Sequence, residues 1–221
     1  MAKAKTTHEA DRGKTPRKRN AAGSRESILQ SALIEFSTKG YAGARVDEIA
    51  KRAGLSKPLI YEYFGDKDAI YAAALRETYL QIRAGEQTLN MDGLPAEEAI
   101  RSLVVFTMDH FRRNPWFISM LNTENLRGGS TIRHMQDANE IQSTLIEKLR
   151  NVLDRGHAEG RFRAGIDPVE LYIFIASLCY FPISNVHTLR SVFECKIDDA
   201  WLDRRGQEAA DMVVRYLRKE S

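Results

Sequence analysis

A chain of 221 residues has room for one large domain or for a small module joined to a bigger one, and either buries a real hydrophobic core. With 43% hydrophobic and 29% charged residues, it has the composition of a soluble globular protein, which excludes wholesale disorder. The net charge of +3 is unevenly placed: eight basic residues against Glu9 and Asp11 make residues 1–25 +6 and leave −3 for the rest. Cys179 and Cys195 are too few for a disulfide scaffold and too far apart for a metal site, so both read as reduced thiols. The N-terminus has no apolar run of the secretory kind, and the apolar stretch from Val169 to Ile183 is short for a bilayer, so a soluble cytoplasmic protein without membrane contact is expected.

Residues 1–23 form the basic arm, with Arg17, Lys18 and Arg19 at its centre. An arm of this charge suits a polyanion, because each neutralised phosphate releases condensed counterions; a solvated tail has the same composition. Beyond it, apolar residues recur at three- and four-residue steps and no hairpin signal interrupts them, so the fold class is all-α. Ser24 to Thr38 places Ile28, Leu29, Ala32, Leu33 and Phe36 on one face, with Gly40 as a stop. Val46, Ile49, Ala50 and Ala53 form a second short stripe, broken by Gly54, and a third helix runs from Ser56 to about Phe64.

Asp66 is placed to cap a fourth, longer helix from Lys67 to about Leu89, after which Asn90 to Pro95 is rich in turn formers. Ala96 to Arg113 predicts a fifth helix and Trp116 to Asn125 a short buried one. Past Gly128-Gly129, a long amphipathic helix is expected from about Thr131 to Arg155, with Gly156, Gly160 and Gly165 interrupting the segment beyond it. Asp167-Pro168 is a helix start that opens an apolar helix around Ile173, and the last helix spans roughly Asp198 to Lys219. The chain divides into the arm, a domain over 24–70 and a larger helical domain over 71–221.

The second and third helices have the build of a helix-turn-helix, in which one helix braces the other so that its N-terminal end enters the major groove. Ala50 stands where the helices approach, Gly54 allows the turn, Leu55 fills the gap beneath, and Ile60 and Phe64 anchor the second helix. Ser56, Lys57, Tyr61, Glu62 and Tyr63 are left facing outward. The wider run RESILQSALIEFSTKGYAGARVDEIAKRAGLSKPLIYEYFGDKDAIYAAAL, from Arg25 to Leu75, resembles the DNA-binding domain of TetR-type regulators. The spacing of Asn114-Pro115, Glu124, Gly160-Arg161-Phe162 and Asp167-Pro168 is similar to the C-terminal domain of the bacterial pyrimidine-utilisation regulator and its relatives.

The resemblance implies a repressor that binds a palindromic double-stranded DNA operator as a homodimer and leaves it when a small-molecule effector binds. Ser56 to Tyr63 would enter the major groove, and Lys67 would hold a phosphate. Lys57, Tyr61 and Tyr63 carry donors for phosphates or base edges, and Leu59 matches a thymine methyl. For Tyr61 and Tyr63, a partly packed ring with its hydroxyl on a phosphate is as good a reading as base contact. Leu59, Glu62 and Arg45 depart from the family pattern, which usually has a hydroxyl, an aromatic and a capping threonine at these places. Glu62 suits either a cytosine amino group or plain solvation, and Arg45 exchanges a cap for a phosphate contact.

In the larger domain, an effector pocket is expected among Phe106, His110, Trp116, Phe117, Met120, Leu121, Asn125, Met135 and Phe174, mostly apolar with a few placed polar groups. Each of these also reads as ordinary core. The helix from Pro168 is apolar all round and must be covered on every side, so a two-fold interface is expected from Tyr172, Ile175 and Cys179 with Trp201, Met212, Val213 and Tyr216 of the last helix. Two other classes of function fit the residues less well. An enzyme lacks support, since the five histidines have no metal spacing and neither a nucleophile motif nor a phosphate loop is present; no cofactor is expected. A membrane or acidic-protein binder is disfavoured because the arm has no apolar face.

Overall fold

The computed structural model describes residues 21–219, apart from the side chains of residues 138, 139, 142 and 143. Arg17, Lys18 and Arg19 lie outside the described residues. Among those described, ten α-helices and a single 3-10 turn make up the regular structure, and the only strand-like pairing is an isolated antiparallel bridge between Phe162 and Arg218.

Helix α1 (Ala21–Gly43) buries Ile28, Ala32, Leu33 and Phe36 at helical spacing. Gly40 breaks its geometry with φ 65°, which costs a glycine little. The kink brings Tyr41 back over Phe36, with ring centroids 6.2 Å apart, and edge-on to Tyr71 at 5.2 Å. Helix α2 (Val46–Ala53) buries Val46, Ile49, Ala50 and Ala53 and ends at Gly54 in the left-handed conformation. Helix α3 (Lys57–Phe64) has Pro58 in its first turn and fully buries only Ile60. Helix α4 (Lys67–Gln87) starts where the Asp66 carboxylate accepts the Ala69 N–H at 2.8 Å.

The larger part contains α5 (Ala96–Arg113), α6 (Pro115–Leu126), α7 (Ala138–Ala158), α8 (Pro168–Ser184), α9 (Val186–Val192) and α10 (Asp199–Leu217). Helix α5 is central and packs on α10, α8, α7 and α6. Two hydrophobic cores result. The first joins α1, α2, α3 and α4 as far as Leu75, together with Met120 from α6; the second runs from Ile82 through α5, α7, α8 and α10. Helix α4 belongs to both, so the expected division after residue 70 falls inside a continuous helix.

Three expectations about the elements are corrected. The helix expected from Thr131 is a 3-10 turn at Ile132–His134 followed by α7, because Met135 is extended (φ −78°, ψ 105°) and the Glu124 carboxylate takes the Thr131 and Ile132 N–H groups at 2.6 and 3.0 Å. Gly156 does not interrupt α7, which continues to Ala158. Helix α9 was not foreseen; it leaves α8 at 61°.

Gly156 has a packing role instead. A Cβ there would lie 2.2 Å from Cδ2 of the fully buried Phe162. Gly156→Ala is therefore expected to lower stability by about 2 kcal/mol, the usual cost of overpacking, despite the better helix propensity of alanine. Urea unfolding of the two proteins measures it, and an unchanged midpoint would show that Phe162 moves aside freely.

Helix α8 turns Leu171, Ile175 and Cys179 inward and leaves Val169, Ile173, Phe174 and Phe181 exposed. Helix α10 buries Ala209, Ala210, Val213, Val214 and Leu217 and leaves Met212 and Tyr216 out. Phe174 and Tyr216 meet at 5.4 Å between ring centroids, which joins the two exposed rows. The interface expectation needs correcting at four residues. Ile175, Cys179 and Val213 have no exposed surface within the subunit, so no partner can touch them, and Tyr172 is turned toward Arg83 on α4. Trp201 is half-buried. Cys179 and Cys195 are both free; burial pushes the Cys179 thiol up to about 12, which keeps it neutral and inert. No single helix among the described residues is long and apolar enough to cross a membrane.

Candidate functional site

Helices α2 and α3 project from the first core with α3 outermost. Ser56 is its N-cap, exposed, in extended conformation and with no side-chain cap bond. Lys57, Tyr61 and Glu62 are exposed, Leu59 is half-buried, and Tyr63 is half-buried against the first core. Arg25 braces the far end of α3: it lies 4.4 Å over the Phe64 ring and donates to the Tyr63 carbonyl at 3.2 Å.

Arg45 precedes α2 and makes no cap bond with its side chain. Asp47 gathers it, at 2.5 Å, together with Lys57 at 3.0 Å. The bonds from Arg45 and then Lys57 hold the Asp47 carboxyl far below the usual carboxylate range. Two of the expected DNA-contacting cations are thus presented side by side at the edge of α3.

Lys67, in the first turn of α4, lies 4.8 Å over the Tyr41 ring, and Arg127 from the end of α6 covers the same ring at 3.5 Å. The Tyr41 hydroxyl donates to Asp68 at 2.6 Å, and Arg127 reaches Asp68 at 3.5 Å. Beneath them, the fully buried Glu124 anchors the 3-10 turn and sits 3.9 Å from Arg127. Burial first, and the Glu124 charge next, push the Tyr71 phenol above its ordinary range. This cluster ties the end of α6 to α1 and α4.

The opposite face of α6 lines a cavity of about 520 Å³ between α4, α5, α6 and α8. Phe117, Leu121 and Asn125 contribute from α6 at four-residue spacing. Tyr172, Ile173 and Tyr180 enter from α8, Phe111 from α5, and Tyr79 and Arg83 from α4. Tyr180 donates to Asn122, tying α8 to α6. A second hollow, of about 590 Å³, lies between the start of α4 and the 127–135 segment and is lined by charged groups such as Asp66, Asp68 and Arg76. The first, with aromatic walls and a buried cation, has the chemistry of a small-molecule site.

Of the expected pocket residues, Phe117, Leu121 and Asn125 line this cavity and six do not. Met120 belongs to the first core, Met135 to the charged hollow, and Phe174 is exposed beside Tyr216. Phe106 covers Gly85, where a Cβ would lie 2.6 Å from Cζ, and Trp116 packs against both cores. His110 stands behind the wall, its ring 5.1 Å from that of Phe117; burial, and then the charge of Arg83, push its pKa down to about 4, so it is neutral. Arg83, Tyr79, Tyr172 and Tyr180 were missed as pocket residues. The one available signal was the pair Arg83 and Glu86 on the same stripe of α4 as Ile82.

An outward-facing second helix with flanking cations, on a small core, carried by a larger helical body with an aromatic cavity, defines a helix-turn-helix DNA-binding regulator. Residues 28–74 match the family described as bacterial regulatory proteins, tetR family, and residues 96–213 match the tetracyclin repressor-like C-terminal domain. The chain is 34% identical over 208 residues, 92% of its own length, to the HTH-type transcriptional repressor NicS of Pseudomonas putida, covering 96% of that protein. It is 30% identical over 159 residues to the HTH-type transcriptional regulator RutR of Escherichia coli K12, 72% of this chain and 73% of that one. The FadR regulator of Bacillus subtilis, solved in complex with stearoyl-CoA, has the same fold with TM-score 0.64 at 19% identity, over 86% of this chain and 97% of that one. The protein belongs to the TetR family: it is a DNA-binding transcriptional regulator and not an enzyme.

Proposed function

We propose that the protein is a homodimeric repressor that binds a palindromic operator in the cytoplasm and releases it when a small molecule fills the cavity between α4, α5, α6 and α8. The observation that carries this reading is the double duty of α6. Phe117, Leu121 and Asn125 line the cavity, while Met120 packs in the reading domain's core and Glu124 holds the 3-10 turn. A ligand that displaces the cavity side of α6 also moves Met120, Glu124 and Arg127, and with them the α1–α4 frame that aims α3. The ligand shifts the equilibrium only by as much as it prefers the displaced state.

The exposed rows on α8 and α10 supply the partner surface: Val169, Ile173, Phe174 and Phe181 with Met212 and Tyr216. An apolar patch rimmed by polar residues is the usual mark of such a contact, and a two-fold axis through it presents two α3 helices to two half-sites. Half-sites about 34 to 36 Å apart, or a multiple of that, fit one face of the duplex. Selection of bound duplexes from a random pool, followed by footprinting, tests the reading. An enriched palindrome supports it, and a pool without one overturns it.

Lys67 is assigned a phosphate, from its place in the first turn of α4 beside Tyr41. Lys67→Ala is expected to weaken binding to all duplexes alike and to lower the slope of log affinity against log salt by about 1. Titrations at several salt concentrations read the slope, and an unchanged one removes Lys67 from the contacts.

A further inference from the structure

We propose that the cavity takes an organic carboxylate with a flat apolar body, its anion held by the guanidinium of Arg83 and the hydroxyl of Tyr172. The assignment rests on the cavity being the effector site and adds the chemical class of the molecule that enters it.

Arg83 is the one charged residue among those lining the cavity, and its side chain is only 8% exposed. One terminal nitrogen, Nη2, donates to the Tyr172 hydroxyl at 2.6 Å, while Nε and Nη1 have no aligned hydrogen-bond acceptor. Glu86, one turn further along α4, comes within 2.7 Å of Nη1, but neither of its oxygens accepts a hydrogen bond in proper geometry. Burial pushes its carboxyl up, against the opposing pull of Arg83 and Lys148, which makes it a weaker counterion than an exposed carboxylate.

A buried guanidinium with a weakened counterion is costly, and an anion set beside its Tyr172-bonded end regains part of that cost as binding. The Tyr172 hydroxyl, which accepts from Nη2, keeps its own proton to donate to the same carboxylate. The remaining walls favour a flat apolar body over a sugar or a polyanion: the rings of Tyr79, Phe111, Phe117 and Tyr180 surround the space, and no second cation accompanies Arg83 in the lining. A cationic ligand would meet Arg83 with repulsion. A neutral one would leave its charge uncompensated.

Calorimetric titration of the full-length protein with benzoate and 2-naphthoate, against the neutral amides of the same shape, tests the assignment. The acids are expected to bind about tenfold or more tightly than the amides, as a charge-assisted bond in a largely apolar site should give. That preference should disappear in Arg83→Met and in Arg83→Met/Glu86→Gln, the double variant guarding against misfolding from an orphaned Glu86. Amides binding as well as acids, acids binding equally to both variants, or no binding of either acid would overturn the proposal. An Arg83-dependent acid preference with unaltered operator affinity would uphold it and overturn the release of DNA by the effector instead.

Discussion

Phe181→Glu is expected to leave the subunit folded and to separate the proposed dimer, with operator affinity falling at least a hundredfold. Phe181 is 58% exposed on the row that α8 shares with Val169, Ile173 and Phe174, so the substitution takes nothing from the second core. Across a two-fold axis, however, each subunit would bury an unpaired carboxylate in an apolar contact. Loss of an aromatic anchor at the centre of an interface costs about 2 to 4 kcal/mol, and the stranded charges add to it. Each 1.4 kcal/mol is a factor of ten, so the dimer should be largely dissociated at micromolar protein. Sedimentation equilibrium reads the assembly and a gel-shift titration reads the operator. A variant that remains a dimer and still holds its operator would move the interface away from the α8 and α10 face.

The second large effect is expected at Glu124. Its fully buried carboxylate accepts the Thr131 and Ile132 N–H groups, lies near Arg127 and faces the unpartnered Tyr71 hydroxyl. Glu124→Ala strips both N–H groups of their acceptor and takes the carboxylate from beside Arg127 at once, at a cost of about 3 kcal/mol. Glu124→Gln keeps an oxygen for the two amides and is expected to cost about 1 kcal/mol. Urea unfolding orders the three proteins. If Glu124→Ala unfolds no earlier than Glu124→Gln, the carboxylate does not hold the 127–135 segment against the reading domain.

Local sequence carried the reading domain well because its signals are short-range. The stripe Val46, Ile49, Ala50 and Ala53, the left-handed Gly54 and the Asp66 cap each act within one or two turns, and the observed α2, α3 and α4 begin where those residues place them. The larger domain was legible as helices but not as a site. Met120, Phe117 and Leu121 have the same chemistry in the sequence, and only the rotation of α6 between two cores sends Met120 one way and the others toward the cavity. The same applies to α8. A helix apolar on every face gives no clue to which side meets its own subunit, so Ile175 and Cys179 were grouped with residues that prove to be outward. The early part of the helix expected from Thr131 was lost to an acceptor on the preceding helix, Glu124, that periodicity cannot register.

The place of Met120 bears on how this regulator can be rebuilt. Although it comes some forty-five residues after Leu75, it is fully buried among α1 to α4 as part of their core. A gene fragment cut after α4 would encode a reading head with a hole where that side chain belongs, and a chimera joining this head to another sensor would inherit the mismatch unless the α6 segment travelled with it. The portable unit for exchanging specificity is therefore discontinuous in the chain: the first four helices together with the methionine face of the sixth.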